Sequence, residues 1–61
     1  MYKSFKEFKR LVDEAHNVFV NVVYNDDDGA YVKTTKRDVL GELRGADEVI
    51  CDMRDGDLYI G

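Results

Sequence analysis

The sequence predicts an α+β domain in the order α-β-β-α-β-β, with a four-stranded, mostly antiparallel sheet and two helices packed on one of its faces. Three observations predict it. Two hydroxyl-led capping motifs each open a stretch whose apolar residues recur at offsets of three and four. Runs of alternating β-branched and aromatic residues lie between and after those stretches. Two Asp-Gly steps, Asp28-Gly29 and Asp55-Gly56, each separate two such runs.

The first helix is expected from about residue 5 to about residue 16. Ser4 and Glu7 form an S-x-x-E capping box, in which the Ser4 hydroxyl accepts from the Glu7 amide and the Glu7 carboxylate reaches back to the Ser4 amide. Phe5, Phe8, Leu11, Val12 and Ala15 make one apolar stripe. Lys9 with Asp13 and Arg10 with Glu14 stand at the i,i+4 spacing of helix ion pairs. His16 falls at the helix C-terminus, within reach of its last carbonyls.

A strand follows in "NVFVNVVY", where Val18, Val20, Val22 and Tyr24 alternate. "NDDDGAYVKT" then carries a turn and a second strand. A three-residue loop of Asp27, Asp28 and Gly29, with the glycine left-handed, sets Val32 opposite Tyr24 and Thr34 opposite Val22.

The second helix begins at Thr35, whose capping partner is Asp38. Val39, Leu40 and Leu43 form its apolar stripe, and Gly45 marks its end. Gly41 inside it costs about 1 kcal/mol relative to alanine and is expected to admit a close backbone neighbour.

The final hairpin turns at Asp55-Gly56. This register pairs Arg54 with Asp57, Met53 with Leu58, Asp52 with Tyr59 and Cys51 with Ile60. Val49, Cys51, Met53, Leu58 and Ile60 then share one face, and Asp52, Arg54, Asp57 and Tyr59 share the other, with Ile50 the apolar exception on the polar side.

Size and composition bound the function. Sixty-one residues make a single small domain spanning residues 1–61, and a chain of this length buries only about 60% of its unfolded surface. One cysteine, Cys51, excludes an internal disulfide, and one histidine, His16, excludes the usual zinc ligand sets. No cofactor or metal is expected. The charged fraction of 36% beside a hydrophobic fraction of 44% describes a folding chain rather than a disordered one. No apolar run approaches a membrane span, and the charged start "MYKSFKEFKR" has no signal-peptide core. The expected setting is cytoplasmic, away from membranes.

The net charge is −4 and unevenly spread. Residues 1–12 carry Lys3, Lys6, Lys9 and Arg10 against Glu7, a local +3. Residues 45–61 carry Asp47, Glu48, Asp52, Asp55 and Asp57 against Arg54, a local −4. An acidic total disfavours broad nucleic-acid binding, which needs phosphate neutralisation.

The run Asp26-Asp27-Asp28 before Gly29 does not fit a calcium loop. With Gly29 at the sixth position, Tyr24 and Thr35 occupy the first and twelfth, where oxygen ligands are required. Turn chemistry explains the glycine and one aspartate, and the remaining acids are left as surface charge. Asp26, Asp27, Asp28, Asp47, Glu48, Asp52, Asp55 and Asp57 would form one acidic ridge if the two hairpins lie side by side. Such a ridge reads either as a mimic of a phosphate row or as charge that protects strand edges from aggregation. Ile50 and Tyr59, with Tyr31 and Phe19, would add apolar contacts of the kind that anchor a protein partner.

The basic counterpart is "KTTKR", in which Lys33, Lys36 and Arg37 adjoin the start of helix two, where amides and cations together can hold an anion. Cys51 is expected in the core. Neither it, His16 nor Ser4 has a visible catalytic partner, and no enzyme is expected.

The leading expectation is a small non-catalytic inhibitor or binding protein that engages a protein partner through Asp26, Asp27, Asp28, Asp47, Glu48, Ile50, Asp52, Asp55, Asp57 and Tyr59. Its sharpest form mimics DNA or RNA and blocks a nucleic-acid-binding enzyme, in the manner of compact acidic proteins of phages and mobile elements. The alternatives are direct nucleic-acid or anion binding through Lys33, Lys36 and Arg37, and a homodimer or subunit of a larger assembly.

Overall fold

A computed structural model describes residues 1–22 and 29–61. The chain runs β1 (Tyr2–Ser4), α1 (Phe5–Glu14), β2 (Asn17–Val22), β3 (Ala30–Thr34), α2 (Lys36–Glu42), β4 (Glu48–Arg54) and β5 (Asp57–Ile60). Asp26, Asp27 and Asp28, and with them most of the expected first turn, lie outside the described residues. Gly29 is described and is left-handed, at φ 93°.

The overall class is α+β, but the sheet differs from the expected one in two respects. It has five strands, in the order β1-β4-β5-β2-β3, and it is mixed. The added strand is Tyr2–Ser4, antiparallel to β4 with Tyr2 opposite Ile50 and Ser4 opposite Glu48. Its origin is the cap itself. An N-cap residue holds extended backbone, and Ser4 does so at φ −64° and ψ 158°. The chain before the helix is therefore already a strand, too short to carry any alternation.

The mixed character follows from the crossovers. β2 pairs with β3, and β4 with β5, as antiparallel hairpins. The hairpins join through β2 and β5, which run parallel, with Val18 opposite Leu58 and Phe19 opposite Tyr59. β3 and β4 thus point the same way, and α2 carries the chain back between them. α1 does the same between β1 and β2. Each helix is a crossover between two like-directed strands, which is what parallel direction requires.

Both helices cover one face. Phe8, Leu11 and Val12 of α1 and Val39 of α2 close over Val18, Val49, Cys51, Leu58 and Ile60, with Ala15 beside them. Phe8 and Leu58 are fully buried.

The second hairpin has the expected register throughout, from Cys51 opposite Ile60 to Arg54 opposite Asp57. Asp55 and Gly56 both have positive φ, 51° and 85°, as a type I′ turn demands. The first hairpin is corrected. Val32 lies opposite Val20 rather than Tyr24, and Thr34 opposite Val18 rather than Val22. The shift is even, so every side chain keeps its expected face. Alternation alone could not distinguish the two registers.

Four local expectations are also corrected. The Glu7 amide donates to Ser4 Oγ at 3.2 Å, but the Glu7 carboxylate turns to Lys3 at 3.8 Å and Arg10 at 3.5 Å instead of closing the capping box. Arg10 pairs with Glu14 at 3.1 Å, whereas Lys9 and Asp13 do not pair. The Asp13 carbonyl instead accepts from Lys36 Nζ at 3.1 Å, tying α2 to the end of α1. His16 lies past the helix end: its amide donates to the Gly56 carbonyl at 2.8 Å, and its ring lies beside Gly56. A Cβ at Gly41 would meet nothing within 4 Å, so no backbone approaches there. The Thr35 cap forms as expected, accepting from the Asp38 amide at 3.1 Å.

Candidate interaction surface

No described helix covers the second face of the sheet. Alternation along the paired strands brings Tyr2, Glu48, Ile50, Asp52, Arg54, Asp57, Tyr59, Asn17, Phe19, Asn21, Tyr31 and Lys33 to it.

Its centre is aromatic. The Phe19 and Tyr59 rings stack at 5.1 Å with 14° between planes, and Tyr31 meets Tyr59 edge-on at 5.1 Å and 86°. The register dictates the first contact, because Phe19 and Tyr59 are direct neighbours on the parallel pair. The Tyr31 hydroxyl donates to the Gly61 carbonyl at 3.0 Å, which fixes that ring over the end of β5. Towards β1 the face remains apolar and open, with Ile50 on β4 40% and Tyr2 on β1 66% exposed, and at the opposite edge Tyr31 on β3 is 43% exposed. A shallow groove of about 310 Å³ runs between Met1, Tyr31, Ile50, Asp52, Arg54, Tyr59 and Gly61.

Charge surrounds this centre and is partly paired. Arg54 Nε donates to Asp52 Oδ2 at 3.1 Å, with both side chains exposed. The same guanidinium carbon stands 5.5 Å from the centroid of the Tyr59 ring. Hydrogen bonding to Asp52 raises the Arg54 pKa further above its ordinary value. Asp57 accepts from Asn17 Nδ2 at 3.1 Å in a half-buried position. Asp47, Glu48 and Asp55 are exposed at the ends of β4.

Edge protection accounts for part of this charge. β1 covers the edge of β4 from Glu48 to Ile50, and the Met1 carbonyl accepts from the Cys51 amide at 3.0 Å. Asp52 and Arg54 lie beyond that cover, on a free edge where charge deters sheet extension. Asp57 does not: it stands on β5, between β4 and β2.

The basic candidates are not gathered into one site. Lys33 stands on the open face opposite Phe19. The Lys36 ammonium reaches across to the Asp13 carbonyl on the helical side. Arg37 is exposed in the first turn of α2. Among the described residues, no three His, Cys, Asp or Glu side chains come together as metal ligands. Cys51 is buried in the core, and burial pushes its thiol above the ordinary value, with Lys3 pulling the other way.

The sequence expectation named Ile50, Tyr59, Tyr31 and Phe19, and all four reach the open face. It missed Tyr2, because β1 was not expected. It also missed Arg54 as part of the site, though the hairpin register already placed Arg54 and Tyr59 on one face of neighbouring strands.

No protein-family model, curated protein or solved structure matches this chain. No described helix is long and apolar enough to cross a membrane.

Proposed function

We propose that this chain is a small non-catalytic binding protein that engages a protein partner through the open face of its sheet. The observation that carries the reading is the aromatic cluster of Phe19, Tyr31 and Tyr59, left without a helix over it and continued by Ile50 and Tyr2. An apolar centre with a polar rim is the anatomy of protein interfaces, and tyrosine and arginine are enriched among their energetic anchors. Glu48, Asp52, Asp57, Lys33 and Arg54 supply the rim. The partner is expected to be a protein of basic surface, in line with the charge of −4.

The nucleic-acid-mimic form of this reading draws less support. Asp52 is paired with the Arg54 guanidinium, so a cation interrupts the acids of the second hairpin and they do not stand as a bare row of like charge. Direct anion binding through Lys33, Lys36 and Arg37 draws less still, since Lys36 is engaged with α1.

The test uses exposed positions whose replacement spares the core. Affinity capture with the wild-type chain is compared with Ile50→Ser and Tyr31→Ser on the open face, and with Arg44→Ser on the helical side. The reading expects a partner retained by wild type and Arg44→Ser and lost from the two open-face variants. A partner captured equally by all four chains overturns it. Self-association through the same face would appear as a mass that rises with concentration and falls back in Ile50→Ser.

A further inference from the structure

The aromatic groove already holds a cation of the chain's own. The Arg54 guanidinium lies between the Asp52 carboxylate, 3.1 Å from its Nε, and the Tyr59 ring, 5.5 Å from its carbon. Both charged side chains are more than half exposed, at 64% and 55%. Tyr31, hydrogen-bonded to the Gly61 carbonyl, meets Tyr59 edge-on. An aromatic face beside a carboxylate is the seat that guanidinium groups select. An exposed ion pair contributes little stability, so the internal occupant is cheap to displace.

We infer that the groove between Tyr59, Tyr31, Ile50 and Asp52 is a docking seat for an arginine side chain of a basic protein partner, and that Arg54 occupies this seat in the free chain. The inference rests on the open-face reading and names the partner chemistry it implies. Charge complementarity favours this occupant. Asp47, Glu48, Asp52, Asp55 and Asp57 lie on the open face or at its ends against Lys33 and Arg54, a local −3. The groove of about 310 Å³ has room for one long side chain, with Ile50 and Met1 against its aliphatic stem. An incoming arginine would displace Arg54 and take over its contacts with Asp52 and Tyr59.

The account yields an unusual expectation for Arg54. Removing it should improve binding, because the seat is vacated, whereas removing Asp52 or Tyr59 should weaken it. The probe is a short Arg-Gly repeat peptide, with the same peptide carrying citrulline in place of arginine as the neutral isostere. Titration followed by amide chemical shifts should place the arginine peptide at Ile50, Asp52, Tyr59 and Tyr31, and show no binding of the citrulline form. Asp52→Asn should weaken binding about fivefold, and Arg54→Gln should tighten it about threefold, the scale of one cation–aromatic contact. Arg44→Gln changes the net charge equally on the helical side and should leave affinity nearly unchanged.

Equal tightening by Arg54→Gln and Arg44→Gln would show bulk electrostatics alone and overturn the seat. So would equal binding of the citrulline peptide, or shifts confined to the helices. Tyr59→Phe keeps the ring and the fold and should retain binding, which separates loss of the seat from loss of structure. A partner that depends on Ile50 and Tyr31 yet is indifferent to arginine would leave the open-face reading standing and overturn this inference alone.

Discussion

Phe19 stacks on Tyr59 at 5.1 Å, on the two neighbouring strands where the first hairpin joins the second. The contact therefore belongs both to the fold and to the surface. It braces the parallel pairing of β2 with β5 from the side opposite the core. A double-mutant cycle of Phe19→Leu and Tyr59→Leu, followed by urea unfolding, is expected to give a coupling of about 0.5–1.5 kcal/mol, the range of aromatic pairs. A coupling near zero would mean that the rings only neighbour each other.

The core predicts a narrow stability margin. A chain of this length has roughly 3–9 kcal/mol to lose, at about 0.05–0.15 kcal/mol per residue. Phe8 is fully buried at the centre of the helix-sheet contact, and Phe→Ala in such a site costs about 3–5 kcal/mol. Phe8→Ala should remove about half or more of that margin, read as a large fall in the urea midpoint by circular dichroism, whereas Ile50→Ala on the open face should change stability by under about 1 kcal/mol.

Gly41 offers the reverse case. It lies inside α2, and a Cβ there would meet nothing within 4 Å. Gly41→Ala should stabilise by about 0.5–1 kcal/mol, because alanine restricts the unfolded chain and suits the helix. Gly56, at φ 85°, is the contrast. The space around it is open except for the His16 ring at 3.9 Å, so Gly56→Ala should cost about 1–2 kcal/mol through backbone strain alone. Thermal unfolding of both variants checks the pair.

Cys51 sets a pH prediction. Burial raises its thiol pKa in the folded chain above the ordinary 9.0. Above that ordinary value the unfolded chain gives up the thiol proton while the folded chain keeps it. The unfolded state then binds fewer protons, and stability falls with rising pH. The loss should begin near pH 9 and be smaller in Cys51→Val, measured as the difference between the two chains across the alkaline range. At neutral pH the folded thiol should resist alkylation until the chain is unfolded.

Much of the fold was legible, for reasons that particular residues make plain. Ser4 and Thr35 announced both helices because capping is local chemistry. Asp55-Gly56 fixed the second hairpin because a two-residue turn leaves one register. The first hairpin was legible only in its faces: Val18, Val20 and Val22 keep their side in either register, so alternation could not choose the pairing of Val20 with Val32. β1 was illegible because Tyr2–Ser4 is held in place by the edge of β4. The parallel join of Phe19 with Tyr59 was also hidden, since no local pattern says which strands of separate hairpins meet. The aromatic centre was visible as a list of residues and became a surface only through that join.

The most direct test of the open-face reading is amide chemical-shift mapping of the captured partner on the folded chain. The account predicts shifts concentrated at Phe19, Tyr31, Ile50, Asp52, Arg54 and Tyr59, with α1 and α2 little changed. Shifts concentrated at Lys6, Lys9, Lys36 and Arg44, with the aromatic face silent, would contradict it.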